Sequence, residues 1–544
     1  MTTPAAAPVQ HPTTIPLRAQ LPVGTWRLLR LAARRDRLLV PIWVGCLVVM
    51  AVVSITATTD LYSTVADRVQ AAESINSTPA IVAIYGPISD VTSLGQVALF
   101  KMVMLGALFL AFLCAVLIRR HTRVDEENGR AELVLSTVVA TGAPLVAAVI
   151  EAVAVSVGTG LLTAAGLVAA GLDVAGSLAF GMAWTGIGLF ATGVAAVAVQ
   201  LSASARTAGG ITAAVLAGTY LVRAVGDIGA GWVSWLSPFG WASKVEAFDA
   251  NRWWLLGLYL PVSAGLLLAA AVLRSRRDLG SGLVAARPGP AAGRLGTFPG
   301  LVERLVRAGL AGWLGSLMLL GVVLGGIATN AADMLASDAA REMFERLGGQ
   351  GVAEEMFLAA EFSILGAAVS AWAITIVTRM AGEETSGRAE SVLATGVSRA
   401  TLFLSVVGAM VVGSLLLLAG IGLSAGVSYG LGAHDVAAKV PELLGAALVQ
   451  APAAWVVAAL ALLCWSIGSR FGSGGWLVLA AFTVLGQLGA LIGLPDQVLQ
   501  LSPFAHAPKA PVESVDWSAQ AMLVVIAAAI IGGAWWRYRS RDIG

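Results

Sequence analysis

The sequence predicts an all-α integral membrane protein of about twelve transmembrane helices, arranged as two parallel six-helix repeats with both termini cytoplasmic. Three observations lead there. Of 544 residues, 58% are hydrophobic and only 12% charged, with a mean hydropathy of +0.83, whereas a soluble domain carries about a quarter charged residues. The apolar residues fall into long segments, each near the roughly 20 residues that cross a bilayer as a helix. Finally, polar motifs recur at matching positions 258 to 265 residues apart, so the chain reads as a tandem duplication. Six spans per half keep both halves in one orientation, which makes the repeats parallel rather than inverted.

Residues 1–20 are rich in Ala, Pro and Thr and lack the apolar content to fold. No short apolar core with a small-residue cleavage site follows them, so no cleaved signal is expected. Residues 21–37, with Trp26, Arg27, Arg30, Arg34, Arg35 and Arg37, read as a basic amphipathic helix lying on the cytoplasmic surface against anionic headgroups. The first half, 38–280, then carries spans near 38–58, 96–118, 144–171, 176–201, 207–223 and 253–273. The segment 59–95 holds Asp60, Asp67, Glu73 and Asp90 against Arg68, while Arg119, Arg120 and Arg123 follow the second span. By the positive-inside rule the first segment is external and the loop after span two is cytoplasmic. A Gly-, Pro- and Ala-rich linker, 281–299, leads to the second half, 300–544, with spans near 310–329, 357–377, 402–430, 443–467, 474–494 and 519–536.

The duplicated loop runs Asp125-Glu126-Glu127-Asn128-Gly129-Arg130-Ala131-Glu132-Leu133-Val134-Leu135-Ser136-Thr137. It returns as Glu383-Glu384-Thr385-Ser386-Gly387-Arg388-Ala389-Glu390-Ser391-Val392-Leu393-Ala394-Thr395. As helices, the copies align Ala131, Val134, Leu135 and Val138, and Ala389, Val392, Leu393 and Gly396, on one narrow stripe. Asn128 and Ser386 are the expected N-caps, Glu132 and Glu390 occupy first turns, and Glu126–Arg130 and Glu384–Arg388 are expected i,i+4 pairs. Other echoes follow the same offset: Arg206 and Arg470, Leu236-Ser237-Pro238-Phe239 and Leu501-Ser502-Pro503-Phe504, and Arg277-Asp278-Leu279-Gly280 and Arg541-Asp542-Ile543-Gly544.

An acidic pair, Gly, then Glu, an aliphatic pair and Thr resembles the loop between the second and third helices of type-2 ABC exporter permeases. Across the whole chain the pattern is similar to the fused twelve-span polyketide antibiotic (multidrug) exporter permeases of actinobacteria. The resemblance implies that Glu126, Gly129, Arg130, Glu132, Val134, Leu135 and Thr137, with Glu384, Gly387, Arg388, Glu390, Val392, Leu393 and Thr395, form two coupling helices docking on two copies of a separate ABC ATPase. An interfacial helix that only anchors the loop is the alternative. It also implies a bacterial cytoplasmic membrane location, and external gate elements at Ser237, Pro238 and Phe239 and at Ser502, Pro503 and Phe504. An aromatic interfacial belt would account for those residues as well.

No G-x-x-x-x-G-K-[ST] loop is present, and none of the four lysines, Lys101, Lys244, Lys439 and Lys509, follows a glycine-rich cradle. ATP and Mg²⁺ are therefore expected on the partner, and no cofactor on this chain, which is read as a transport subunit rather than an enzyme. Cys46, Cys114 and Cys464 have no metal-ligand spacing and are expected as small core residues, and the histidines, His11, His121, His434 and His506, are scattered. A net charge of +2 gives no footprint for nucleic acid. Glu151, Lys101 and Glu361 lie within apolar spans and are candidates for the substrate path, although each could instead snorkel or pair with a loop charge. Few buried charges suggest hydrophobic or amphipathic cargo. A secondary drug transporter of the major facilitator type shares twelve spans in parallel halves, but carries a different motif after its second span. A membrane enzyme would call for clustered Asp, Glu or His at one surface.

Overall fold

The computed structural model describes residues 22–62, 64–284, 296–328, 353–483, 485, 495–512 and 514–542. The expected N-terminal tail, most of the linker, and the end of the span read at 474–494 lie outside them. In chain order the helices are α1 (Thr25–Arg35), α2 (Leu39–Leu61), α3 (Val65–Ser77), α4 (Pro79–Tyr85), α5 (Leu94–His121), α6 (Arg123–Glu127), α7 (Arg130–Leu135), α8 (Ala143–Ala169), α9 (Val174–Leu201), α10 (Ala205–Ile228), α11 (Pro238–Lys244) and α12 (Trp254–Ser275). The second half supplies α13 (Phe298–Ala328), α14 (Ala353–Thr385), α15 (Arg388–Leu393), α16 (Arg399–Gly432), α17 (Val436–Leu448), α18 (Ala451–Ile467), α19 (Gly474–Thr483), α20 (Asp496–Leu499) and α21 (Trp517–Ser540).

Among the described residues there is no strand, and eleven helical segments are long and apolar enough to cross a membrane. The protein is thus an all-helical integral membrane protein. One expected crossing enters as α19, and beyond Thr483 most of it lies outside the described residues. The fourth span of the second half is longer than its apolar run suggested: α17 begins at Val436, and the chain breaks at Val449–Gln450 before Pro452 opens α18. Proline is tolerated in a first turn, where its missing N–H has no intrahelical partner in any case. The equivalent α9 runs unbroken.

Two compact units divide the chain. The first comprises residues 22–58 and 93–287, so far as they are described, and the second 59–92 and 288–544. The segment 59–92 thus belongs to the second unit, where α4 packs on α13. In the first unit α9 is the central helix, in contact with α5, α8, α10 and α12. Its sequence explains why. Small residues recur along it, and at Gly181 its backbone lies so close to Gly160 of α8 that a Cβ on either glycine would strike the other's carbonyl. Close backbone approach of this kind is how helices gain contact in lipid, where no hydrophobic gradient drives them together. Trp184 of α9 fills the gap opposite Gly106 of α5 and donates to the Met102 carbonyl at 3.2 Å.

In the second unit α13 lies along α16, α16 along α17, and α18 along α21, while α14 contacts α13, α16 and α18. At one end of that unit Phe403, Trp465, Trp535 and Tyr538 form an aromatic cluster, with Phe403 and Trp465 stacked at 6.3 Å. The cysteines divide: Cys114 is buried as expected, whereas Cys46 is exposed on α2. In a membrane protein an exposed apolar face meets lipid, so the composition of α2 alone did not locate its packed side.

Candidate functional site: the duplicated loop

Each copy of the loop folds around a glycine with positive φ. Gly129 (φ 70°) and Gly387 (φ 72°) are the N-caps of α7 and α15, and neither helix has a side-chain cap. Only glycine adopts this backbone without strain. The expected caps are thereby corrected: Asn128 ends α6 instead, and Ser386 precedes the turn. The two helices are also shorter than the stripe suggested, ending at Leu135 and Leu393, so Val138 and Gly396 lie beyond them.

The expected pairs Glu126–Arg130 and Glu384–Arg388 do not form. The glycine turn rotates each arginine toward the preceding acid, placing Arg130 3.5 Å from Asp125 and Arg388 2.5 Å from Glu383. Glu126 and Glu384 turn inward. Arg277, just past the end of α12, grips Glu126 through two nitrogens at 2.6 and 2.9 Å. Arg541, just past the end of α21, pairs with Glu384. In both halves the carboxylate and its arginine are buried. A bidentate or fully enclosed guanidinium–carboxylate pair fixes direction as well as distance, so each loop is latched to the end of its half's last long helix.

Around the latch the halves diverge. In the first unit the buried Arg123 adds a second cation 2.9 Å from Glu126 and donates to the carbonyls of Val199 and Ser281. The two neighbouring acids reach other elements: Asp125 takes a two-pronged bond from Arg35 of α1 at 2.6 and 3.2 Å, and Glu127 accepts the Ala205 N–H that opens α10, at 2.6 Å. The Asp125 hydrogen bond and charge raise the pKa of Arg35 above its ordinary value. Three consecutive acids thus hold α1, α12 and α10. In the second unit Glu384 has one cation, Arg541, and neutral donors from Trp465 Nε1 at 3.1 Å and Tyr538 Oη at 3.2 Å.

Val134 and Leu135 face a cavity of about 520 Å³ inside the first unit, bounded also by Leu28 and Leu31 of α1, Leu145 of α8, and Arg274 and Arg277. They are half-buried, as are Val392 and Leu393, while Glu132, Thr137, Glu390 and Thr395 are exposed. The most exposed aliphatic groups of the loop are Leu133, which edges the same cavity yet is 75% exposed, and Val138, 87% exposed. Their counterparts are Ser391 and Gly396.

The Leu-Ser-Pro-Phe copies are also built alike. Ser237 donates to the Thr219 carbonyl of α10 at 2.6 Å, and Ser502 to the Phe482 carbonyl of α19 at 3.0 Å, so each serine hooks back to an earlier helix of its half. Proline then starts a short turn of helix, with Phe239 and Phe504 buried. Tyr259 of α12 donates to the Pro238 carbonyl at 2.6 Å. His506 bonds the Gln500 carbonyl nearby. Of the buried-charge candidates, Lys101 is exposed beside the Phe100 ring, and Glu361 is half-buried on α14. Glu151 of α8 is buried against His121 and Asp36, and His121 lies twenty residues along α5 from Lys101, roughly 30 Å.

The latch arginines were visible in the sequence only as an echo. The usable signal was co-duplication, since Glu126 and Arg277 recur together as Glu384 and Arg541 at nearly one offset. Arg35, Arg123 and Tyr538 had no such signal.

Comparison with known proteins agrees with this architecture. Residues 295–539 match the family described as the C-terminal domain of the multidrug efflux system permease Rv1217c. Over 526 residues, 96% of this chain and 95% of the relative, the sequence is 40% identical to the multidrug efflux system permease protein Rv1217c of Mycobacterium tuberculosis. The chain belongs to this family of multi-pass efflux permeases of the bacterial inner membrane.

Proposed function

We propose that this permease is the membrane subunit of an ATP-driven type-2 ABC exporter that removes hydrophobic or amphipathic compounds such as polyketide antibiotics and drugs. It crosses the membrane twelve times, with both termini and both duplicated loops in the cytoplasm. A separate ATPase dimer binds ATP and Mg²⁺ and docks one subunit on each loop. The observation that carries this reading is the pair of latches, Glu126–Arg277 and Glu384–Arg541. A force on α7 or α15 passes through a buried ion pair to the end of α12 or α21, so closure of the ATPase dimer reorients spans rather than bending a slack loop.

The test is to co-express the chain with its ATPase and compare Leu133→Asp with wild type. A charge on the most exposed aliphatic group of α7, with no partner designed for it, disfavours a dry contact. ATPase capture and drug-stimulated hydrolysis should fall while the permease inserts and elutes normally. Unchanged capture and stimulation would return the loop to a headgroup anchor. Topology is checked with Ser136→Cys and Ala394→Cys, both at exposed positions. They should react with an impermeant maleimide only after lysis, and labelling in intact cells would overturn the orientation. Deleting the gene should sensitise the host to hydrophobic compounds; altered sugar or ion uptake with unchanged drug sensitivity would sink the cargo assignment.

A further inference from the structure

At the same end of the first unit, three ligand-type side chains converge from three elements. Asp36 caps the end of α1, His121 ends α5, and Glu151 lies on α8. All three are buried, and one ligand atom from each lies within 4.8 Å of the others. His121 Nε2 is 2.5 Å from an Asp36 oxygen and 3.3 Å from Glu151 Oε2. A ring nitrogen has one N–H to give or one lone pair to offer, so it cannot satisfy two carboxylates. Glu151 Oε2, on a side chain only 7% exposed, has no hydrogen-bond partner among the described residues. Leaving a carboxylate oxygen in that state is costly, and nothing in the latch geometry requires it.

We propose that Asp36, His121 and Glu151 form a site for one divalent transition cation, with Zn²⁺ the best match. A cation between the three atoms satisfies both carboxylates and the imidazole at once, and one nitrogen with two carboxylate oxygens is a borderline ligand set that suits Zn²⁺ better than Mg²⁺ or Ca²⁺. Ligand distances of about 2.0 to 2.2 Å need only small side-chain shifts from the present spacing. His121 also lines the 520 Å³ cavity, which gives an ion and a fourth, water ligand a route in. Arg120, 3.1 Å from the other Asp36 oxygen, leaves one of the two Asp36 oxygens for the ion while offsetting part of its charge. Bound there, the metal would cross-link α1, α5 and α8 immediately beside the latched loop. The second half has Arg379 and Ala409 where the first has His121 and Glu151, so one ion per chain is expected.

The experiment uses the untagged full chain in detergent, stripped with a chelator and titrated with Zn²⁺ by calorimetry, with bound metal counted by elemental analysis. One equivalent should bind, and X-ray absorption at the zinc edge should report nitrogen and oxygen neighbours including one imidazole. Glu151→Gln and His121→Ala should each weaken binding by more than the roughly 10–100-fold typical of losing an outer partner. A wild-type chain that takes up no Zn²⁺, a sulfur shell at the metal, or full uptake by both variants would overturn the site. Should a variant fail to fold, the wild-type titration and its absorption spectrum still decide the matter.

Discussion

The two copies of the loop share a glycine turn, a short helix and a buried latch, but differ in what the neighbouring acids hold. In the first half Asp125, Glu126 and Glu127 hold α1, α12 and α10, and Glu126 answers to two arginines. In the second half Glu383 pairs within its own loop, Glu384 answers to Arg541 under an aromatic roof, and the Thr385 hydroxyl donates to the Gly382 carbonyl. Both halves keep the glycine turn, its arginine–acid pair, and the buried glutamate with the arginine at the end of the last span. The further ties of Asp125, Glu127 and Arg123 belong to the first half, which leaves the first loop the more firmly held. The exposed surfaces diverge as well, with Leu133 and Val138 standing where the second half has Ser391 and Gly396. The first loop thus presents an aliphatic surface where the second presents a polar one.

The sharpest way to break this comparison is to remove the latch arginines one at a time. Arg541→Ala leaves Glu384 buried with neutral donors only, and losing one partner of a buried pair costs about 3–5 kcal/mol. In Arg277→Ala, Arg123 remains 2.9 Å from Glu126, so the loss should be closer to the roughly 1–3 kcal/mol of an incompletely satisfied buried group. Thermal unfolding of the purified chain in detergent should rank wild type, Arg277→Ala and Arg541→Ala in descending order. Equal losses would mean that Arg123 is no substitute, and the reverse order would discard the account of the second-half latch.

Most of the fold could be read in advance because its causes are local. Apolar length sets where α2, α5, α8, α9, α10 and α12 cross, and arginines mark the cytoplasmic-reading ends of α2, α5 and α12. The latch could not be read that way. Glu126 and Arg130 sit at ideal helical spacing, and only the left-handed turn at Gly129 separates them; a pattern rule that assumes continuous helix cannot register a reversal made by one glycine. Long-range partners such as Arg277, 151 residues away, depend on how α12 packs on α9. His121 was equally opaque, since its partners Asp36 and Glu151 are 85 and 30 positions distant in sequence. The aromatic roof over Glu384 has the same character, with Phe403, Trp465 and Tyr538 arriving from three helices.

A smaller effect tests the claim that the first loop is held more firmly. Arg35→Ala cuts the tie between α1 and Asp125. Both side chains are mostly buried, 25% and 17% exposed, and a two-pronged pair at such a depth is worth about 1 kcal/mol, toward the upper end of the range for surface pairs. Protection of the α6–α7 amides in hydrogen exchange should drop toward that of the second-half loop. If exchange in residues 123–135 is unchanged, α1 is not one of the ties.

The least effect is expected where the halves are most alike. Glu132 and Glu390 are both exposed, both in the first turn of a six-residue helix that begins at a left-handed glycine without a side-chain cap. Neither side chain makes a hydrogen bond or ion pair among the described residues, so what each contributes is its charge near the uncapped N–H groups, about 0.3–1 kcal/mol. Glu132→Ala and Glu390→Ala should therefore lower stability slightly and by the same amount, despite the unequal surroundings of the two loops. Raising the salt concentration should shrink both losses together, since an exposed charge at a helix end is screened within a Debye length. A loss confined to one half, or one that salt leaves intact, would mean that the carboxylate there meets a group on another element. If instead stability is unmoved in both variants while ATPase capture falls, the carboxylates face cations on the partner, and the two loops would be distinguished by which variant loses more.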